Sequence, residues 1–414
     1  MQPTDIVILS NGPGEVATWV RPVVKHLDEI KKRSPNIRIS VLLSPCPHST
    51  GKEVAIASSY SQVDRVLPAS DFFGFLLWGK TPDNWQWHQR GIVVFLGGDQ
   101  FYTVAISKRL GYSSLIYAEW DARWYRWVDR FAAMNQKVID RIPQAYRHKF
   151  SLVGDLMADV ALEVEDRTES KLESTIGLLV GSKPAKLFQG VPLCLAIAQE
   201  IQRQRPQTQF IIPVAPTLDL ACLSKYANRQ DNPLVSSLGN VEAQLVESGS
   251  TAYLITSGGT KIQLITEFPA YKTLVNCQLC LTTVGANTAE LTALAVPMIV
   301  LLPTQQLDAM RSWDGLPGIL ANLPGVGTVF AKLINWVVLR QGRLFAWPNI
   351  WAGEEIVPEL VGKLEPETVA RLALNYLKYP ARLQATSDRL RAVRGRTGAV
   401  EQIADIIKQE ITKI

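Results

Sequence analysis

Asp5-Ile6-Val7-Ile8-Leu9-Ser10-Asn11-Gly12-Pro13-Gly14-Glu15 is the stretch on which the fold reading turns. Ile6 to Ser10 is apolar and β-branched, reads as a strand buried on both faces, and stops at a Gly-Pro-Gly turn. From Glu15 to Lys32 the apolar residues Trp19, Val23, Val24, Leu27 and Ile30 recur at helical spacing. A strand, a glycine turn and an amphipathic helix, in that order, open a parallel α/β unit.

The alternation continues along the chain. Ile37–Leu43, Val63–Leu67, Ile92–Leu96 and Leu115–Ala118 read as further strands, with a helix from Tyr102 to Leu110. A second series starts at Ile176–Val180 and runs through a helix at Leu187–Arg203 to strands at Phe210–Val214, Leu279–Thr283 and Met298–Leu302. A helix at Asn287–Ala295 separates the last two, Ser257-Gly258-Gly259-Thr260 reads as a hairpin turn, and Pro366–Ile414 reads as helical throughout. The polar stretch Glu163–Ser174 reads as a linker. The expectation is an α/β protein of two Rossmann-like domains facing a cleft, with C-terminal helices: residues 1–160, 161–375, and 376–414 packing back on the N-terminal domain.

Composition narrows the function. The chain has 414 residues, 47% hydrophobic and 20% charged, which suits packed cores rather than disorder. A net charge of +5 fits an anionic ligand or an anionic membrane face, and no nucleic-acid partner is expected. Five cysteines read as reduced thiols. Cys277 and Cys280 form a CxxC without further ligands nearby, so core packing is expected, and Cys46-Pro47-His48 is set aside as a metal site on the same ground. No signal peptide is expected from Met1–Ser10, and no apolar run reaches the roughly 20 residues of a membrane helix. The expected location is cytoplasmic, peripheral on the inner face of a membrane.

Ligands of such sheets sit beyond the carboxyl ends of the strands, so the loops after strands are the places to look. Gly12, Gly14 and Glu15 let a ligand approach a helix start, although the same residues could simply make a tight turn. Leu96-Gly97-Gly98-Asp99-Gln100 puts a carboxylate on a glycine turn; Asp99 can act as a general base or as a helix cap. Gly181, Ser182 and Lys183 suit a diphosphate at a helix entrance, or form a plain surface loop. Gly285, Asn287, Thr288 and Glu290 form a second such entrance, with Glu290 in reach of a ribose and capping by Asn287 or Thr288 as the alternative. Trp347-Pro348-Asn349-Ile350-Trp351-Ala352-Gly353-Glu354-Glu355 reads as irregular chain that carries polar ligand groups or packs domains. Phe72, Phe73, Leu77 and Trp78, near Lys80, suit a membrane patch; a buried helix or a homodimer contact are the alternatives.

Together these loops resemble the lipid-A-disaccharide synthase family, GT-B glycosyltransferases that join two acylated glucosamine units using a UDP-sugar donor. Leu152-Val153-Gly154-Asp155-Leu156-Met157-Ala158-Asp159 is similar to the family's segment at the entry to the second domain. Leu178-Leu179-Val180-Gly181-Ser182-Lys183 resembles its Leu-Pro-Gly-Ser-Arg loop, with Lys183 in place of the arginine. Gly285–Glu290 followed by Pro297 keeps the spacing of its Gly-Thr-Ala-Ala-Leu-Glu loop. Pro348-Asn349, Ala352-Gly353 and Glu359-Leu360 match its Pro-Asn-(x)-(x)-Ala-Gly segment and the residues after it, with Glu354 where the family has arginine. Its N-terminal Gly-Glu-Thr-Ser-Gly-Asp loop is replaced by Asn11-Gly12-Pro13-Gly14-Glu15.

The resemblance implies a GT-B fold and an inverting, metal-independent transfer from a UDP-sugar to a lipid-linked or glycolipid acceptor, with no cofactor beyond the donor. Asp99, or else Glu15, would activate the acceptor; Gly181, Ser182, Lys183, Gly285, Asn287, Thr288, Glu290 and Asn349 would hold the donor. The rivals are a UDP-sugar epimerase or hydrolase on the same fold and a non-catalytic nucleotide-sugar-binding relative.

Overall fold

The computed structural model describes residues 2–46, 51–164, 174–303 and 344–413. Pro47 and His48, and most of the expected linker, lie outside the described residues. The chain divides into two compact units, residues 1–163 with 395–414, and residues 164–394.

The first unit is built on seven parallel strands. They are β1 (Thr4–Ser10), β2 (Ile37–Leu43), β3 (Arg65–Leu67), β4 (Gly91–Phe95), β5 (Ser113–Ala118), β6 (Arg130–Ala133) and β7 (Phe150–Leu152), in spatial order β3-β2-β1-β4-β5-β6-β7. β1 and β4 are buried along their whole length, as parallel strands covered on both faces must be. The helix after β1 begins at Pro13, widens into a π-type turn at Val16–Val20, and continues as α1 (Arg21–Arg33). α2 (Phe72–Trp78) and α3 (Gln100–Leu110) complete the elements that matter for the site. β6 and β7 were not expected: four and three residues long, they are too short to show a period of two.

A carboxylate sits in the middle of this sheet. Asp5 is fully buried in β1. It accepts from Arg38 Nε (2.7 Å), Tyr112 Oη (2.7 Å) and the His88 amide (2.7 Å). These bonds hold its carboxyl below the usual range, against the opposing and largest influence of burial.

The second unit carries eight strands in the order β10-β11-β12-β9-β8-β13-β14-β15. They are β8 (Thr175–Leu179), β9 (Gln209–Pro213), β10 (Ala243–Ser248), β11 (Thr251–Thr256), β12 (Lys261–Ile265), β13 (Leu279–Thr283), β14 (Met298–Pro303) and β15 (Glu359–Gly362). β11 and β12 pair antiparallel across the expected hairpin turn, and β8, β9, β13, β14 and β15 are parallel. Its helices include α4 (Pro184–Gln204), α5 (Ala286–Ala293), α6 (Trp347–Ala352), α7 (Pro366–Lys378) and α8 (Pro380–Val393). Residues 347–352, expected to be irregular, are therefore helical, with Pro348 in the first turn where its missing N–H costs nothing. Cys277 and Cys280 are buried, and Gly177 has no room for a side chain because Cys280 Sγ lies 2.7 Å from where a Cβ would stand.

The last helix, α9 (Ala399–Lys413), returns to the first unit. The expected boundary at residue 376 is thus corrected to 394/395. α8 stays with the second unit because Leu390 is fully buried there, Ser387 Oγ donates to Ala295 O, and Arg394 donates to Ala293 O. α9 is fastened by Asp159, whose carboxylate accepts from the Gly398 amide and from Val400 N at 2.7 Å. Asp159→Ala should remove this cap and lower stability by about 2 kcal/mol; urea unfolding measures it, and a loss below about 0.5 kcal/mol would mean that apolar packing alone holds α9.

Candidate functional site

In the second unit the two expected donor loops come together because β8 and β13 are neighbours in the sheet. The loop after β8 carries Gly181 at φ +93° and leads into α4; the loop after β13 carries Gly285 at φ +142° and leads into α5. Both conformations favour glycine, and both leave room for one side chain that the sequence reading missed, Lys186. A Cβ on Gly181 would lie 3.0 Å from Lys186 Cβ and Cδ, and a Cβ on Gly285 would lie 2.7 Å from Lys186 Nζ. The ammonium donates to Val284 O at 2.5 Å and so ties one loop to the other. Burial, with Lys183 nearby as the lesser cause, lowers its pKa to about 8. Nothing in the composition of Lys183-Pro184-Ala185-Lys186 sets the second lysine apart from a solvated one.

Ser182, Lys183 and Asn287 lie half-buried at these loops, and Glu290 is half-buried on the second turn of α5. Two expected donor contacts are corrected. Thr288 is fully buried; its Oγ1 donates to Gly285 O and accepts from Trp347 N, docking α6 on α5. Asn349 is also fully buried, and its amide is saturated: Nδ2 donates to Val357 O and Glu359, and Oδ1 accepts from Ile356 N and Val357 N. Neither can reach a ligand; both shape the wall behind the loops. Glu354, the charge reversal, forms an exposed pair with Arg389 at 2.8 Å.

In the first unit the loops after β1, β2 and β4 converge. A Cβ on Gly97 would meet Asn11 Oδ1 at 3.1 Å and Glu15 Cβ at 3.2 Å, and one on Gly98 would meet Ser44 Oγ at 2.6 Å. Glu15 folds back over Gly12, where a Cβ has no room; Gly14 faces open space. Asp99 is exposed and caps α3 by accepting from Phe101 N at 2.9 Å. The capping role is therefore realised, and the carboxylate still faces solvent.

Glu119, directly after β5, is a carboxylate that the sequence reading passed over. Burial, then the charges of Asp155 and Glu15, raise its pKa to about 7. Asp155, in the segment after β7, is raised to about 6, chiefly by burial. A lone Glu in a Tyr-Ala-Glu-Trp run gives no sign of this; the convergence of three loops does.

The expected aromatic patch is only partly exposed. Phe72 is fully buried and packs edge-on against Tyr102, so it belongs to the core and not to a membrane contact. Trp85 and Trp87 are held under the Arg65 guanidinium at 4.2 and 4.3 Å. Phe73, Leu77 and Trp78 are 46%, 56% and 69% exposed. They are joined by exposed Phe101 and Trp127, which are linked through Trp124, and Arg109 ties α3 to α2 by donating to Leu77 O.

No family model matches the chain. A lipid-A-disaccharide synthase of Nitrosococcus oceani is 22% identical over 404 residues, 90% of this chain and 88% of that protein. One from Anaeromyxobacter sp. (strain K) is 26% identical, but the match spans 56% of this chain and about half (48%) of the relative. The chain is thus similar, at low identity, to lipid-A-disaccharide synthases, in the first case over most of its length. Solved structures agree on the fold, GT-B. A putative UDP-N-acetylglucosamine 2-epimerase of Listeria monocytogenes superposes with a TM-score of 0.53 at 13% identity, over all of this chain and 97% of that one. The S. aureus MnaA–UDP structure gives 0.56 at 11% identity, over all of this chain and 98% of that one. Among the described residues no helix is long and apolar enough to cross a membrane, and no three His, Cys, Asp or Glu side chains gather as metal ligands would.

Glu119 yields a pH test. A carboxyl raised from 4.5 to about 7 contributes stability that is full below pH 4.5 and lost as pH rises to 7. Above that, the buried charge costs the fold up to about 3 kcal/mol. Glu119→Gln should therefore stabilise the protein more at pH 8 than at pH 5. Urea midpoints at the two pH values decide it; an equal shift at both would contradict the buried-charge account.

Proposed function

We propose that the protein is a glycosyltransferase that moves a sugar from a UDP-sugar to a lipid-linked or glycolipid acceptor. The observation that carries this reading is the pair of glycine loops after β8 and β13, each opening a helix, stapled side by side. Helix N-termini with backbone free to approach are suited to a diphosphate, and the relatives are named lipid-A-disaccharide synthases.

In this reading the donor diphosphate lies on the Gly181 and Gly285 loops and Glu290 meets the ribose. The first unit holds the acceptor. The acceptor hydroxyl gives its proton to a carboxylate as its oxygen attacks the anomeric carbon. The bond from that carbon to the β-phosphate oxygen breaks, and its electron pair leaves with UDP, inverting the sugar. Amide dipoles and lysine charge stabilise the growing negative charge without requiring a metal. Asp99 is the proposed base because it is anchored by its cap and open to solvent. Glu119 is the alternative, because a proton affinity near neutrality suits proton transfer at neutral pH.

The two are separable. Asp99→Asn keeps the cap and should lower the single-turnover rate about 100-fold or more at unchanged donor affinity. A rate within about threefold of wild type, with Glu119→Gln inactive, would move the base to Glu119. Consumption of UDP-sugar without any acceptor would replace transfer by epimerisation or hydrolysis.

The exposed aromatics of α2 and α3, with Lys80 and Lys108 among them, support an anionic bilayer as the place where the acceptor is met. Replacing Phe73, Leu77 and Trp78 together by serine should reduce co-sedimentation with anionic vesicles by about tenfold. Equal sedimentation of the two folded proteins would remove the membrane from the reading.

A further inference from the structure

Lys186 is not one of the cations that the loop motif singles out, yet it occupies the centre of the paired loops. It projects from the first turn of α4, passes over Gly181, and ends beside Gly285. Among the described residues Nζ has one hydrogen bond, to Val284 O, and no acidic partner. An ammonium carries three N–H groups, so two remain to be satisfied. Next to it lies a second unmet group: Thr283 Oγ1 is 3.4 Å from the Cβ position of Gly181, the residue is 8% exposed, and among the described residues the hydroxyl has no partner. A withdrawn cation and an orphaned hydroxyl, at loops whose glycines make room for the lysine, are complementary to an oxyanion.

We propose that Lys186 is a catalytic residue that binds the diphosphate of the donor and stabilises it as the leaving group, with Thr283 as its neutral partner. This rests on the UDP-sugar reading above. When the bond between the anomeric carbon and the β-phosphate oxygen breaks, the electron pair stays on that oxygen, and the diphosphate gains one negative charge. The acceptor's proton goes to the general base, so none is needed at the phosphate. Lys186 answers the added charge by electrostatics alone, from a site where water screens it little. A lysine already lowered by burial gains most from an anion, because binding relieves the condition that destabilises its charge. Its bond to Val284 O fixes the ammonium before the donor arrives, which spares the reorganisation that a surface lysine would undergo.

The test separates this role from that of a mere staple between loops. UDP and uridine are titrated calorimetrically into wild type, Lys186→Met and Lys186→Arg. The expected result is at least a tenfold loss of UDP affinity in Lys186→Met, with uridine affinity within threefold of wild type and partial recovery of UDP affinity in Lys186→Arg. Equal losses for UDP and uridine would show that the lysine only shapes the loops, and the proposal would fall. Failure of wild type to bind UDP would instead end the donor reading itself. Should Lys186→Met not fold, the wild-type protein answers the question. Acylation of Lys186 by an amine-selective reagent, mapped by mass spectrometry, should slow at least fivefold with saturating UDP and stay unchanged with uridine; the same rate with and without bound UDP overturns the proposal.

Discussion

Parallel strands covered on both faces leave no room for chemistry within the sheet. β1, β4, β8 and β13 are buried at every position, so a polar side chain there is either satisfied internally, as Asp5 is by Arg38, Tyr112 and His88, or left without a partner among the described residues, as the Thr283 hydroxyl is at the carboxyl end of β13. Everything that can meet a ligand is pushed to the loops at the carboxyl ends. Strand adjacency then decides which loops meet. β1 lies between β2 and β4, which brings Asn11, Glu15, Ser44 and the Gly97-Gly98 turn together. β8 lies beside β13, which brings Gly181 to Gly285.

The two units use this constraint with opposite charge. The first gathers carboxylates: Glu15, Asp99, Glu119 and Asp155 all follow strands, and burial, joined by the charges of Asp155 and Glu15 on Glu119 and of Asp159 on Asp155, raises Glu119 and Asp155 toward neutrality. The second gathers cations and amides, with Lys183 and Lys186 at the entrance of α4. This arrangement also accounts for the altered loop residues. With Lys186 threaded between the glycines, the replacement of a family arginine by Lys183 does not leave the site without a fixed cation, and Glu354 is turned outward to Arg389.

Much of this was legible in the chain itself, for a physical reason. Ile6–Leu9, Leu279–Leu281 and Met298–Leu302 are apolar runs that lead toward or away from turn residues, and such runs announce buried parallel strands locally. Glycines after strands announce close approach, because Gly181 and Gly285 adopt backbone angles that side chains resist. The order of strands and glycine loops was enough to place two α/β units and the loops at the carboxyl ends of their strands. What the chain could not declare was contact between residues far apart in it. Lys186 looks like any lysine until Val284, 98 residues on, accepts its hydrogen bond. Asn349 and Thr288 look like ligand groups until Val357, Glu359 and Trp347 consume their hydrogen bonds. Phe72 and Phe73 are adjacent and chemically identical, yet one is core and the other surface, because successive helix positions point about 100° apart and only the packing of α2 on α3 says which way is in. Local chemistry set the elements and their glycine turns; the registry of strands and the partners of each polar atom were decided only when the tertiary structure closed.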